Sequence, residues 1–279
     1  MNPNAIFVCS HIQYDGQLDL LDTCLHSLTN QTEKADIYVS ISIEGKYKKE
    51  FAEKILKKYS LEGVQFCLHN GQLYQMEHLK YLTKMYSKKG YRLIMFCDDD
   101  DTYVHNRVEI ISISYKYLLT QKSAENCIGF RESFQYDGKK QDIPEYWGYA
   151  IRPDILNLFF ELFEQNPIMY ALPLLKHKFA DMYLRYYLHR RQKGVCFYVS
   201  PSDNEKLYNY NTDNPNSICA RLPMDNNLDD QLLLKVIGAV SDYNFQEILK
   251  ENIDYYINGN KIEPIITKIY LFCKYLYSN

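Results

Sequence analysis

The chain has 279 residues, 46% hydrophobic and 24% charged, the proportions of a soluble globular protein long enough to bury a substantial core. A formal net charge of -3 excludes the basic footprint of a nucleic-acid binder, and no apolar run approaches the roughly 20 residues that span a bilayer. Residues 1–11 lack the basic start and long apolar core of a secretory signal, so an intracellular, cytoplasmic protein is expected.

From residue 5 onward, short apolar runs alternate with amphipathic segments, the pattern of βα units around a mostly parallel sheet. A first strand over 5–9 ends at Ser10-His11, and a helix over 17–29 carries Leu18, Leu21, Leu25 and Leu28 at helical spacing. A second strand over 36–43 stops at Glu44-Gly45, before a helix with Phe51, Ile55, Leu56 and Tyr59 on one face. A third strand over 64–68 ends at His69-Asn70-Gly71, and the next helix shows Leu73, Met76, Leu79 and Tyr86. The fourth strand, Arg92-Leu93-Ile94-Met95-Phe96-Cys97, runs into four consecutive aspartates, Asp98 to Asp101.

Two unit charges at roughly 4 Å repel by about 4 kcal/mol at an effective dielectric near 20. A carboxylate cluster at the edge of a core therefore calls for a cation, and a divalent metal ion is the obvious one. Extended geometry alternates side chains, which predicts Asp98 and Asp100 on one side and Asp99 and Asp101 on the other. Asp101 reads equally well as simple turn chemistry. Ligands of open α/β sheets bind at the carboxyl ends of strands, so Ser10, His11, Glu44, Asn70 and the aspartates should share one rim.

Asn106-Arg107-Val108-Glu109 has the form of a capping box opening a helix with Ile111, Tyr115 and Leu118 inward. Further on come a strand over 126–130, a turn over 136–140, and a strand over 146–151 holding the single tryptophan, Trp147. Next are a helix with Ile155, Phe159, Leu162 and Phe163, a helix over 179–189 with Asp181 in its first turn, and a strand over 195–200. Residues 203–230, rich in Asn, Asp, Pro and Ser, read as a loop or lid. Helices are predicted over 232–240, 245–257 and 262–277. The last carries an apolar stripe flanked by lysines that suits packing on its own domain, or else a membrane surface or partner helix.

The eight cysteines are scattered without a Cys-x-x-Cys pair, which fits reduced core thiols better than disulfides or zinc. The 27 tyrosines, abundant together with Asn, Lys and Ile, fit coding bias better than sugar-stacking surfaces.

The ordered set Phe96-Cys97-Asp98-Asp99-Asp100-Asp101-Thr102-Tyr103, followed by Arg107 and a helix, resembles the family 2 glycosyltransferases of the GT-A fold. Phe7-Val8-Cys9-Ser10-His11 and Ser27-Leu28-Thr29-Asn30-Gln31 are similar to that family's first strand and first helix end. The likeness covers about the first 110 residues well and extends loosely to residue 200. It implies a GT-A, Rossmann-like nucleotide-diphospho-sugar transferase domain over 1–202. Its nucleotide-sugar half would be about 1–105 and its acceptor-side half about 106–202, with a loop and C-terminal helical extension over 203–279 packed on it.

The resemblance further implies sugar transfer from a nucleotide-sugar donor, UDP-linked by default, to a hydroxyl of a glycan or other acceptor, with inversion. Asp100 would ligate Mn2+ or Mg2+, with Asp98 reaching the metal or the ribose and Asp99 on the donor side. Ser10, His11, Glu44 and Asn70 would line the base and ribose pocket, with His78 near the nucleotide. Glu44 stands where the family usually has Asp. Asp181 would be the general base that the acceptor hydroxyl needs, against its alternative as a helix-initiating aspartate. Trp147 and Gly148 would form the acceptor-side floor. Arg185, His177 and His189 could face the diphosphate or complete the metal shell, a choice the sequence does not make. A nucleotidyltransferase would need a Gly-rich basic loop after the first strand, which residues 9–16 lack. A non-catalytic module binding a cation or carbohydrate is the remaining alternative.

Overall fold

The computed structural model describes residues 2–121, 127–132, 134–136, 139–141, 145–165, 181, 184, 185, 187, 188, 196–199 and 207–211. The predicted helices over 232–240, 245–257 and 262–277, with their amphipathic stripe, lie outside these residues, as do His177 and His189.

The first half is built as its sequence pattern requires. Strand β1 (Asn4–Ile12), helix α1 (Gln17–Thr29) and strand β2 (Asp36–Ile43) are followed by α2 (Lys48–Phe51) and α3 (Lys57–Leu61), joined through a π-helical turn, Ala52–Leu56. Then come β3 (Gln65–His69), α4 (Gln75–Tyr86) and β4 (Leu93–Asp98). The stripe Leu18, Leu21, Leu25 and Leu28 is buried, as are Phe51, Ile55 and Tyr59 on the next helical run and Met76 and Leu79 on α4. Leu73 precedes α4, and its N–H is held by Ser42 Oγ at 3.2 Å.

The two-residue strand β5 (Thr102–Tyr103) leads into α5 (Arg107–Gln121), β6 (Cys127–Arg131), and a hairpin of β7 (Phe134–Tyr136) and β8 (Lys139–Gln141). Of the predicted turn over 136–140, Tyr136 and Lys139 are paired across that hairpin, and residues 137–138 lie outside the described residues. Only the second half of the predicted 146–151 strand is extended: Tyr146–Gly148 form a 3-10 turn and Tyr149–Ile151 form β9. Helix α6 (Pro153–Gln165) and strand β10 (Cys196–Val199) follow, and Asp181, Leu184, Arg185, Tyr187 and Leu188 are all helical. Inside the predicted loop over 203–230, Tyr208–Asn209 form β11, which pairs antiparallel with β5.

The main sheet has seven strands in the order β10-β6-β9-β4-β1-β2-β3. β3, β2, β1 and β4 run parallel, as do β6 and β10, whereas β9 is antiparallel to both β4 and β6. That single reversal matters for the site. It puts the start of β9, with the Tyr146–Gly148 turn before it, on the same rim as the carboxyl ends of β4 and β6. Gly129 permits the close packing there, since a Cβ at that position would stand 2.1 Å from the Ala150 carbonyl oxygen.

The capping box expected at Asn106 is not formed. Asn106 Oδ1 is buried without a partner, and Glu109 instead accepts from Thr32 Oγ1 at 2.9 Å. No helix among the described residues is long and apolar enough to cross a membrane, and five cysteines there are free thiols.

Candidate active site

The strand carrying the aspartates ends at Asp98, and the chain then turns, with the Asp101 N–H donating to the Asp98 carbonyl at 3.3 Å. The expected alternation therefore fails, because its period holds only while the backbone stays extended. Instead each described aspartate contact goes to a different part of the rim.

Asp98 Oδ1 accepts from Gln75 Nε2 at 2.9 Å and from the Tyr146 hydroxyl. Gln75 also donates to the Tyr146 oxygen at 3.0 Å, so α4 and the 146–148 turn together set the orientation of this carboxylate. Asp99 turns toward β1, accepting from Ser10 Oγ at 2.6 Å and Gln17 Nε2 at 3.4 Å. Asp101, read as possible turn chemistry, is 1% exposed and anchors a distant segment. Its Oδ2 accepts from the Tyr208 hydroxyl at 2.8 Å and its Oδ1 from the Asn211 N–H at 2.7 Å, while the Tyr208 oxygen accepts from the Asp98 N–H at 3.0 Å.

The electrostatics match that geometry. Burial and the neighbouring carboxylates hold both Asp99 and Asp101 at about 7, partly offset by their hydrogen-bond donors. Asp98 is raised by burial first and then by the Asp101 charge. Among the described residues, no group of three or more His, Cys, Asp or Glu side chains is arranged to hold a metal ion.

Behind the turn sits a buried ion pair that the sequence reading did not assign. Arg107, 0% exposed, donates to Glu132 Oε2 at 2.7 Å and to the Trp147 carbonyl at 2.8 Å, with its guanidinium 4.4 Å from the Tyr103 ring centre and 5.0 Å from that of Tyr208. Glu132 Oε1 accepts from the Leu207 N–H at 2.9 Å. The first residue of α5, the end of β6, the 146–148 turn and the 207–211 segment are thereby tied to one point.

The remaining sequence candidates separate into three groups. Ser10 reaches the aspartates directly, whereas His11 lies next to it with a buried Nδ1 that has no partner. Burial lowers the His11 pKa, against an opposing pull from the Glu44 charge just past the end of β2. Asn70 is exposed beyond β3 and is not drawn to the others.

His78 and Trp147 are both buried. His78, 1% exposed, is hydrogen-bonded through both ring nitrogens, Nδ1 with Ser40 Oγ at 2.8 Å and Nε2 with Ser42 Oγ at 3.3 Å, one nitrogen donating and the other accepting. Burial, with the nearby His69 and His11, pushes it down to about 3, so it is neutral. His69 shares the network through Ser40 Oγ at 2.7 Å. Two serines spaced by two on a buried strand were the signal that β2 had a polar partner behind it. The Trp147 ring is 3% exposed and stacks on Tyr208 at 4.1 Å and 9°, so it forms floor packing and offers no open face. Gly148 is buried beside it, its carbonyl accepting from the Glu132 N–H at 2.8 Å.

Asp181 is half-buried on a helical segment. Arg185, one turn further on, pairs with Glu145 at 2.9 Å. Glu145 is held at about 7 by burial, opposed by Arg185 and reinforced by the Asp181 charge. The Tyr146 phenol, raised first by burial and then by Asp98, also feels Asp181. The Asp181 charge thus acts on both Glu145 and Tyr146, and the Asp98 charge acts on Tyr146.

No protein-family model and no curated protein sequence matches this chain. Solved structures do. S. aureus TarS superposes over 88% of this chain and 40% of its own, at a TM-score of 0.55 and 13% identity. TarS 1-349 in complex with UDP-GlcNAc gives a TM-score of 0.58 at 13% identity, over 88% of this chain and 67% of that one. The complex of TarS 1-349 with UDP gives 0.54 at 12% identity, over 88% and 66%. The chain therefore spans 40% of the first TarS chain. The α/β architecture with a mostly parallel sheet, expected from the GT-A resemblance, is the fold this chain shares with TarS.

Proposed function

We propose that this chain is a glycosyltransferase that moves a sugar from a nucleotide-diphospho-sugar, UDP-linked by default, to a hydroxyl of a glycan or other acceptor. We further propose that it uses Mn2+ or Mg2+ and inverts the anomeric centre. The observation that carries the reading is the aspartate turn at the end of β4, placed between Ser10 on β1 and Tyr146 before β9. A shared fold with TarS, crystallised with UDP and with UDP-GlcNAc, supports the donor class.

The carboxylates suit a hard divalent cation. Asp99 and Asp101 sit at about 7 because burial disfavours their charged forms and the Asp100 charge adds to that, a cost that a cation offsets. Mg2+ is commonly held by one or two carboxylates together with substrate phosphates, so a full protein cage is not required. Asp98 and Asp100 would hold it, and when bound it would neutralise charge growing on the diphosphate leaving group.

The other roles fall to the chain's own groups. Gln75 and Tyr146 fix Asp98, while Ser10 and Gln17 hold Asp99 on the ribose side. Asp181 takes the acceptor proton. Arg185 keeps the Glu145 carboxylate paired beside it, limiting the like charge near that base.

The test is a thermal-shift screen of UDP, UDP-GlcNAc and other nucleotide-sugars with and without Mn2+, since a ligand of the native state raises its apparent stability. A cation-dependent shift that Asp100→Ala abolishes is the expected result. No shift with any nucleotide would refute the reading, and an Asp100→Ala variant that keeps the cation-dependent shift would remove Asp100 from the metal site.

A further inference from the structure

The aspartate turn occupies one end of the sheet, and a second cluster of charge lies at the other. Arg92 stands immediately before β4 and Arg152 immediately after β9. Because β9 is antiparallel to β4, with Ile94 opposite Ile151, both arginines fall at the end of the sheet away from Asp98. The length of β4 separates the two ends, roughly 17–20 Å at about 3.3 Å per residue. A cavity of about 290 Å³ is found there, lined by Arg92, Arg152, Tyr115 and Asp154, with Leu119 and Pro153 among its apolar walls.

The charges around this cavity do not balance. Arg152 is forked onto Asp154, Nε to Oδ1 at 3.0 Å and Nη2 to Oδ2 at 2.6 Å, and its Nη1 reaches the Cys127 carbonyl at 3.4 Å. Asp154 is thereby committed to one arginine. The other, Arg92, has a buried Nη1 that reaches no acceptor among the described residues. A guanidinium N–H that has given up water without gaining an acceptor is costly to keep. Among the described lining residues, two guanidinium groups face a single carboxylate, which leaves an excess of positive charge. The Tyr115 hydroxyl donates to the Cys127 carbonyl at 3.5 Å, and the charges of Arg152 and Arg92 both act on that phenol.

We propose that this cavity binds a small organic anion, a phosphate ester or carboxylate with a compact apolar body, whose oxyanion accepts from Arg92 and whose body packs on Leu119 and Pro153. The site lies at the far end of the sheet from the aspartates and stands independently of the glycosyltransferase reading. The planar guanidinium fork matches two oxygens of a phosphate or a carboxylate, which makes arginine the side chain suited to either head group. The apolar walls favour an organic ion over an inorganic one, as in other small-molecule sites.

Phenyl phosphate, benzoate and inorganic phosphate are titrated into the whole chain by calorimetry, at constant ionic strength and in chelator, so that no cation draws phosphate to the aspartate turn. The wild type is expected to bind phenyl phosphate or benzoate more tightly than inorganic phosphate. Arg92→Met, which keeps an unbranched stem without the charge, weakens that binding at least about tenfold. Should Arg92→Met melt early, Asp154→Asn carries the comparison: removing the carboxylate that competes for Arg152 tightens binding roughly two- to fivefold, a gain that a folding defect does not produce. Binding of phenyl phosphate alone identifies a phosphate ester as the ligand, and binding of benzoate alone identifies a carboxylate. A wild type that binds none of the three at about 10 mM overturns the site. So does an affinity that neither Arg92→Met nor Asp154→Asn moves, and inorganic phosphate binding as tightly as the organic probes overturns the apolar half of the proposal.

Discussion

Tyr208→Phe isolates the hydroxyl that joins the 207–211 segment to the aspartate turn. The phenylalanine keeps the stack on Trp147 and the guanidinium of Arg107 over its ring, and it loses two hydrogen bonds. One is the donor to Asp101 Oδ2 at 2.8 Å and the other the acceptor for the Asp98 N–H at 3.0 Å. A bond to a carboxylate is worth about 1.5–3 kcal/mol, and a stranded backbone N–H costs about 1 kcal/mol or more, for a total near 2–3 kcal/mol after allowing for partial exposure. In a chain of this size that lowers the melting temperature by roughly 5–10 °C.

The deficit also has a pH signature. Asp101 in the folded state sits near 7, above its unfolded value of 3.8, and the Tyr208 donor is one of the interactions that lower it. A raised carboxylate contributes stability below about 4 that is lost as pH rises through 7. Removing the donor raises Asp101 further, so Tyr208→Phe should fall further behind wild type at pH 8 than at pH 5. Calorimetry or denaturant titration at both pH values, in chelator, makes the measurement. A variant within about 0.5 kcal/mol of wild type at pH 8 would show that the hydroxyl does not hold the turn.

Asp181→Asn should lower turnover roughly 10²- to 10⁴-fold while leaving UDP-GlcNAc affinity unchanged, the mark of a lost proton acceptor; equal loss of binding and turnover would reassign Asp181 to substrate binding. His78, pushed down to about 3, contributes stability that is fully present above its unfolded value near 6.5 and is lost as pH falls toward 3. Unfolding free energy should therefore decline below pH 6.5 by at most about 1.4 kcal/mol per unit, and His78→Asn should flatten that slope; an unaltered slope would refute the assignment. Arg107→Met strands the Glu132 carboxylate and should cost about 3–5 kcal/mol, whereas the double variant with Glu132→Leu should recover part of the loss; simple additivity of the two single changes would mean that the pair is not coupled.

The first half of the fold was legible because its rules are local. Alternation over 36–43 and the leucine stripe over 17–29 each specify a buried face without help from the rest of the chain, and all of those stripe leucines are buried. What could not be read depended on remote partners. Trp147 could not be separated from a sugar platform without knowing that Tyr208 covers it, and nothing near residue 208 signals pairing with Thr102–Tyr103. The capping box at Asn106 failed for the same reason: Glu109 had a better partner in Thr32, far away in sequence. The resemblance placed His78 near the nucleotide, and only the register of β2 shows that its ring nitrogens are engaged by Ser40 and Ser42.

The aspartate run itself shows why composition alone misleads at a site. Four like charges in sequence suggest one collective role, yet the backbone turn gives the Asp99, Asp98 and Asp101 carboxylates separate donors, from β1, from α4 with the 146–148 turn, and from the 207–211 segment. Repulsion within the run is then met by hydrogen bonds that reach into three separate parts of the fold, so the turn becomes the place where those parts are held in register. In this arrangement Asp101, the member most easily dismissed as a turn residue, holds the Tyr208 hydroxyl and the Asn211 N–H at the rim. Any ligand that spans β1, β4 and β9 meets a surface whose two sides are fixed relative to each other by this acidic turn.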